Sequence, residues 1–140
     1  MDVRMELSRI LIRDVVDHQI IELREADAPT ETEARRFPIV IGLPEAQAID
    51  RRLKGVEILR PQTHDLLANV IERLGAKLES ICINDLSDHT FFAILNVRTK
   101  DGELIEIDSR PSDAIALGIA GSVPIYVAEH VLEAATREPL

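Results

Sequence analysis

The chain has 140 residues, of which 46% are apolar and 29% charged, and its net charge is −9. That length and balance suit one globular domain spanning 1–140, with a core of Ile, Leu, Val and Ala. With 3% aromatics and no Trp, a base-stacking platform is not expected, and no global basic field draws in phosphate.

The N-terminus, MDVRMELSRI, lacks the layout of a secretory signal, and the longest uncharged run, Ala114 to Ala128, is too short to span a membrane. Cys82 is the one cysteine and sits in an apolar run, so it reads as a small core residue in a reducing compartment. A cytoplasmic protein without membrane contact is expected.

In chain order, Val3, Met5 and Leu7 alternate with polar residues as a strand does, and Ile10 to Ile12 either extends it or starts a bulge. Gln19 to Leu23 is a second short strand. Ala26 to Arg36 is polar, carries a Pro, and reads as an exposed loop or a wide hairpin connection. Phe37 to Ile41 is a third strand, ending at Gly42.

Pro44 opens a helix that runs to Lys54, with Ala46, Ile49 and Leu53 on one face and Gly55 as the stop. Glu45 in its first turn complements the helix dipole or serves as a ligand. Arg51, Arg52 and Lys54 read as a solvated basic face, with Arg60 close behind. Thr63 reads as the N-cap of an amphipathic helix marked by Leu66, Leu67, Val70, Ile71 and Leu74. His64-Asp65, near its start, is a weak metal-dyad signal.

Leu78 to Ile83 and Thr90 to Val97 are strands joined by a turn-rich link over 84–89, and Asp101-Gly102 marks a second hairpin tip. That tip leads into Leu104 to Asp108, whose alternation predicts a half-buried strand. Ser109 to Asp113 breaks it and starts a helix that is apolar on every side from Ala114 to Ala120. A strand at Ile125 to Val127 and a last helix over 128–135 complete an α+β fold. The expected architecture is a bent, mainly antiparallel sheet of six or seven strands carrying three or four helices. Residues 37–49 can be laid over 105–117 without a gap, which suggests a duplicated strand-helix unit in which Glu45 and Asp113 are equivalent.

Asp108, Arg110, Ser112 and Asp113 crowd the turn before the apolar helix. One reading is a capped helix with a structural ion network; the other is a pocket for a phosphate or for a metal bound to one.

The run Asp108 to Leu117, followed by Val123-Pro124-Ile125-Tyr126-Val127, resembles the hallmark of the bifunctional nuclease family. Gly42 to Ile49, Arg60-Pro61, Thr63 to Leu67 and Thr90 to Ala93 fit the same pattern, so the resemblance runs from about Val3 to Ala135. Gly118-Ile119 departs from it, where family members usually have Ala-Leu. The resemblance implies a compact α+β domain that self-associates, with a dimer as the first expectation, and hydrolysis of both DNA and RNA.

Such chemistry needs an activated water and stabilisation of the charge on phosphorus. Asp108, Arg110, Asp113 and His64 are the expected catalytic residues. Arg60, Arg110 and Ser112 are expected to hold substrate. Asp108 and Asp113, with Asp65 and Glu45 in support, are expected to bind Mg²⁺ or Mn²⁺. The alternative is a non-enzymatic module that binds a small anion or a protein partner through the Arg110/Asp113 corner.

Overall fold

A computed structural model describes residues 1–13 and 15–137. Seven strands form one sheet: β1 (Asp2–Leu11), β2 (His18–Glu25), β3 (Arg36–Gly42), β4 (Lys77–Ser87), β5 (Thr90–Arg98), β6 (Leu104–Ser109) and β7 (Ile125–Ala128). Four α-helices accompany them: α1 (Leu43–Lys54), α2 (Thr63–Arg73), α3 (Pro111–Gly118) and α4 (Glu129–Arg137). The strand order is β3-β2-β1-β7-β4-β5-β6, and every neighbouring pair is antiparallel except β4 with β7. The α+β class, the strand and helix numbers and the mainly antiparallel character follow the sequence reading.

The sheet is strongly bent. Four strands separate β3 from β5, yet the rings of Phe37 on β3 and Phe91 on β5 lie 5.5 Å apart. This curl wraps an aliphatic core that includes Ile21, Leu23, Ile81, Ile83 and Val127, all fully buried. Ala135 on α4 packs partly against that core, while Val131 and Leu132 are sealed within it. In β1 the strand does run on to Leu11, and its register with β2 shifts between Leu7 and Arg9.

Helix α3 is the innermost element. Seven of its eight residues, all but Asp113, are buried. Its small side chains permit this: a Cβ added at Gly118 would stand 2.8 Å from Ile81 Cδ1 and 3.0 Å from Val123 Cβ. The departure from the family pattern at Gly118 is therefore a close helix-sheet contact.

The structure corrects five local expectations. Strand β6 is not half-buried; it is an edge strand, with Ile105 39% and Ile107 42% exposed, because α3 packs over β4 and β5 and stops short of it. The link at 84–89 is a tight turn: β4 and β5 continue to Ser87 and Thr90, and Asp88 and His89 both take left-handed φ values of 53° and 63°. Two such residues are what a two-residue hairpin turn requires. Thr63 is the first helical residue of α2 and Gln62 is the cap, whose N–H donates to Asp65 Oδ2 at 3.0 Å. Helix α2 buries little of its apolar face: Ala68 and Ile71 pack on the core, while Leu66, Leu67, Val70 and Leu74 are exposed.

The basic patch on α1 is not a solvated face either. The Arg52 side chain is only 9% exposed. Its Nε donates to Ala116 O at 2.6 Å, its Nη2 donates to Leu117 O at 3.0 Å, and its Nη1 pairs with Asp65. One guanidinium thus satisfies carbonyls at the C-terminal end of α3 and neutralises the first-turn acid of α2.

Two stability outcomes follow. Arg52→Lys removes the fork that reaches three acceptors and should lower stability by about 2 kcal/mol, while Arg52→Ala should lower it by about 3 kcal/mol, measured by urea unfolding. Gly118→Ala gains helix propensity but overpacks against Ile81 and Val123, for a net loss of about 1 kcal/mol.

Candidate functional site

The two strand-helix units that echo each other lie at opposite edges of the sheet, one as β3-α1 and the other as β6-α3. Each helix begins after an extended N-cap, carries Pro within its first two residues, and has an acid as its third residue: Glu45 in α1 and Asp113 in α3. The curl of the sheet and the packing of α1 against α3 bring these two helix starts together. Arg110, the N-cap of α3, reaches both.

Arg110 Nε donates to Asp113 Oδ2 at 2.7 Å and its Nη2 donates to Asp113 Oδ1 at 3.0 Å. The same Nη2 lies 3.9 Å from Glu45 Oε2. From α2, His64 Nε2 meets Asp113 Oδ1 at 2.9 Å. Asp113 is therefore held on two sides, by a guanidinium and by an imidazole. Its burial raises the carboxyl pKa, but the hydrogen bonds from Arg110 and His64 outweigh burial and hold it below the usual carboxylate range. The same hydrogen bond from Arg110 to Asp113 raises the arginine pKa further.

Exposure separates the roles. The Arg110 side chain is 63% exposed, against 34% for Asp113 and 16% for His64. The arginine presents its free edge to solvent while the pair behind it is sheltered. All three line a groove of about 930 Å³ between the α1/α2 side and the β5/β6 side, with Leu67, Leu95 and Ile107 on its apolar walls. Arg110 and Glu45 also line a second cavity, of about 700 Å³, which Ser112 faces from the buried start of α3. Phe91 borders both cavities, and its one signal in the sequence is the Thr90 to Ala93 block.

The structure thus brings together His64, Arg110, Asp113 and Glu45, with Asp108 on the same groove wall but in no hydrogen bond or ion pair among the described residues. It does not bring in Arg60, which is exposed and outside both cavities. Asp65 is committed elsewhere: Arg52 Nη1 pairs with it, Arg51 Nη2 lies 3.0 Å away, and it accepts from Gln62 N–H. Those contacts lower its pKa against the opposing effect of burial, and they mark a helix cap and junction.

The four-carboxylate metal set expected from the sequence is therefore not assembled. Among the described residues, no group of three His, Cys, Asp or Glu side chains converges in a way that could hold a metal ion. The Arg110 guanidinium stands between Glu45 and Asp113, where a cation bridging them would have to sit. As arranged, these side chains do not fit a divalent ion. The Glu45 side chain folds back over Gly42, and its flexible carboxylate end takes the space a Cβ there would occupy.

Residues 29–139 match the family described as the bifunctional nuclease domain. The chain belongs to that family. It is 39% identical over 123 residues to an uncharacterized protein of Mycobacterium tuberculosis, covering 88% of this chain and 70% of the relative. It is 25% identical over 118 residues to bifunctional nuclease 1 of Oryza sativa subsp. indica, covering 83% of this chain but 34% of the rice protein. Similarity to bifunctional nuclease 2 of Oryza sativa subsp. japonica reaches 30% over 94 residues, or 29% of that protein. The chain therefore spans about a third of the length of these rice relatives.

The depressed pKa of Asp113 fixes the sign of a pH effect. A carboxyl whose folded pKa lies below its unfolded value stabilises the fold above the unfolded pKa, and that contribution is lost as pH falls through the folded value. Wild type should therefore be more stable than Asp113→Asn at neutral pH, and the gap should shrink below about pH 4. Thermal unfolding of both proteins across that range measures it.

Proposed function

We propose that the chain is a nuclease that hydrolyses phosphodiester bonds of DNA and RNA. The single observation that carries the reading is the His64–Asp113–Arg110 cluster on the wall of an open groove. Membership of the bifunctional nuclease family and similarity to the rice bifunctional nucleases support it.

In this reading Asp113 accepts the Nε2–H of His64. That fixes the tautomer and leaves Nδ1 with the lone pair that takes a proton from the attacking water or hydroxyl. Arg110 keeps its outer edge free and binds the phosphate, opposing the charge that builds on phosphorus. Glu45 holds Arg110 from the far side. Ser112 lies behind this contact, next to the second cavity, and is a secondary substrate residue. Asp108, which lines the same groove, takes the role of positioning water. No step runs through Mg²⁺ or Mn²⁺, because Arg110 would have to leave Asp113 and Glu45 to admit one.

We place this activity in the cytoplasm, in a homo-oligomer. No helix of the described residues is long and apolar enough to cross a membrane, and the single cysteine, Cys82, is buried with its thiol pKa pushed up to about 11 by burial and by Asp2. An inert thiol suits a reducing compartment.

A second reading has one specific support. Two helix N-termini and an arginine converge at the same point, which is anion-binding geometry without any need for turnover. The chain would then be a module for a small anion or a protein partner.

One experiment separates the readings. Wild type, His64→Ala, Asp113→Asn and Arg110→Ala are assayed on single- and double-stranded DNA and on RNA, with EDTA and with Mn²⁺. The nuclease reading expects cutting in EDTA and a loss of about 100-fold or more in each variant that remains folded by circular dichroism. Cutting that needs Mn²⁺ would put a metal into the mechanism. Equal cutting by all four proteins would remove the site assignment. No cutting, with thermal stabilisation by phosphate that Arg110→Ala abolishes, would favour the binding module.

A further inference from the structure

Arg110 stands where two cavities meet. The groove of about 930 Å³ and the cavity of about 700 Å³ share Arg110, Glu45 and Phe91 as lining residues. Each volume lies within the roughly 300–1,000 Å³ of a small-molecule site. Each also has an apolar wall. In the groove it comes from Leu67 on α2 and Ile107 on β6, which are 43% and 42% exposed; in the other cavity it comes from Pro38 and Ile39 on β3.

The charges around Arg110 limit how much polyanion the site can take. A protein that tracks a long strand lines its path with Lys and Arg and stacks successive bases on aromatic rings. This site lacks both. Among the described residues two guanidiniums line the cavities, those of Arg110 and Arg51. Arg51 is 16% exposed and its Nη2 lies 3.0 Å from Asp65, so it is already neutralised. Four carboxylates line the same two cavities: Asp17, Glu45, Asp108 and Asp113. Arg110, 63% exposed, is therefore the one fixed cation free to meet a phosphate. On either side of it the walls offer apolar surface and acids, which suit a nucleoside better than a second phosphate.

We infer that the unit this site recognises is a single phosphodiester flanked by two nucleosides, so that its substrates are short single strands, down to a dinucleotide. The phosphate sits on Arg110, one nucleoside enters the groove beside Leu67 and Ile107, and the other enters the second cavity. Two bases turned into separate cavities cannot stay stacked or paired, which excludes an intact duplex. The apolar walls hold the bases without reading their edges, so DNA and RNA of any sequence are accepted. The inference rests on the nuclease reading for its chemistry but not for its binding geometry. In that chemistry water gives its hydroxyl oxygen to phosphorus and its proton to the departing sugar oxygen. A dinucleoside monophosphate then yields one nucleoside and one nucleoside monophosphate.

Three probes test it: thymidylyl-thymidine, an oligothymidylate of about twelve residues, and that oligomer paired with oligoadenylate. Cutting is measured with EDTA and with Mn²⁺ and is expressed per phosphodiester bond. Binding is measured by calorimetry on His64→Ala over a range of salt. The dinucleotide should reach a kcat/KM per bond within about tenfold of the oligomer, and the duplex should fall at least 50-fold lower. One phosphate contact to a single strand predicts a slope of log affinity on log salt of about −0.7. Ile107→Ser and Leu67→Ser, each shown folded by circular dichroism, should raise KM for the dinucleotide about fivefold or more. Leu59→Ser, fully exposed and outside both cavities, should not. A per-bond preference for the oligomer above tenfold, equal cutting of the duplex, a salt slope steeper than about −2, or a KM unmoved by both wall variants would each overturn the inference. If no probe is cut, the nuclease reading fails and calorimetry on wild type decides the rest. Dinucleotide binding with the shallow salt slope, weakened by Ile107→Ser, would uphold the site, and absence of dinucleotide binding would remove it.

Discussion

The rest of the structure depends on how closely α3 can lie against α1 and the sheet. A helix whose residues apart from Asp113 are Pro, Ser, Ala, Ile, Leu and Gly can be surrounded on nearly all sides, but a buried helix leaves its C-terminal carbonyls without water. Arg52 meets that need from α1, and the same guanidinium holds Asp65 at the start of α2. Three helices are locked by one side chain. With them fixed, the starts of α1 and α3 and the first turn of α2 face one another, and the His64–Asp113–Arg110 cluster follows.

The cluster is both structural and chemical. Asp113 sits at the third position of α3, where an acid complements the helix dipole, and Glu45 does the same for α1. Placing two such acids side by side would be repulsive without Arg110 between them. The ion network expected on structural grounds is therefore present. It is also half open: the arginine that neutralises the acids keeps most of its surface exposed, while the imidazole behind it is sheltered. Neutralisation inside and exposure outside are compatible because the guanidinium has two edges.

Much of this was legible beforehand. The strand periods, the Pro-then-acid helix starts and the all-apolar run after Asp113 gave the α+β class and the position of the corner. His64, Arg110, Asp113 and Glu45 were legible as candidates because each sits at a helix start or in a motif block. Adjacency to His64 makes Asp65 look like half of a dyad, whereas consecutive helical residues point about 100° apart and its partners come from α1. Arg51 and Arg52 read as a solvated face for a related reason: a basic last turn looks the same in sequence whether it faces water or another helix.

What the sequence by itself determined is local: where strands alternate, where helices can start, and which helix is apolar enough to be buried. What only the tertiary structure decided is the set of neighbours. The curl that brings Phe37 against Phe91, the meeting of two helix starts from opposite sheet edges, and the exposure of β6 despite its isoleucines all depend on contacts between segments far apart in the chain. Periodicity reports which face of an element is apolar. It carries no information on whether another element arrives to cover that face, because the arrival is settled by packing over the whole sheet.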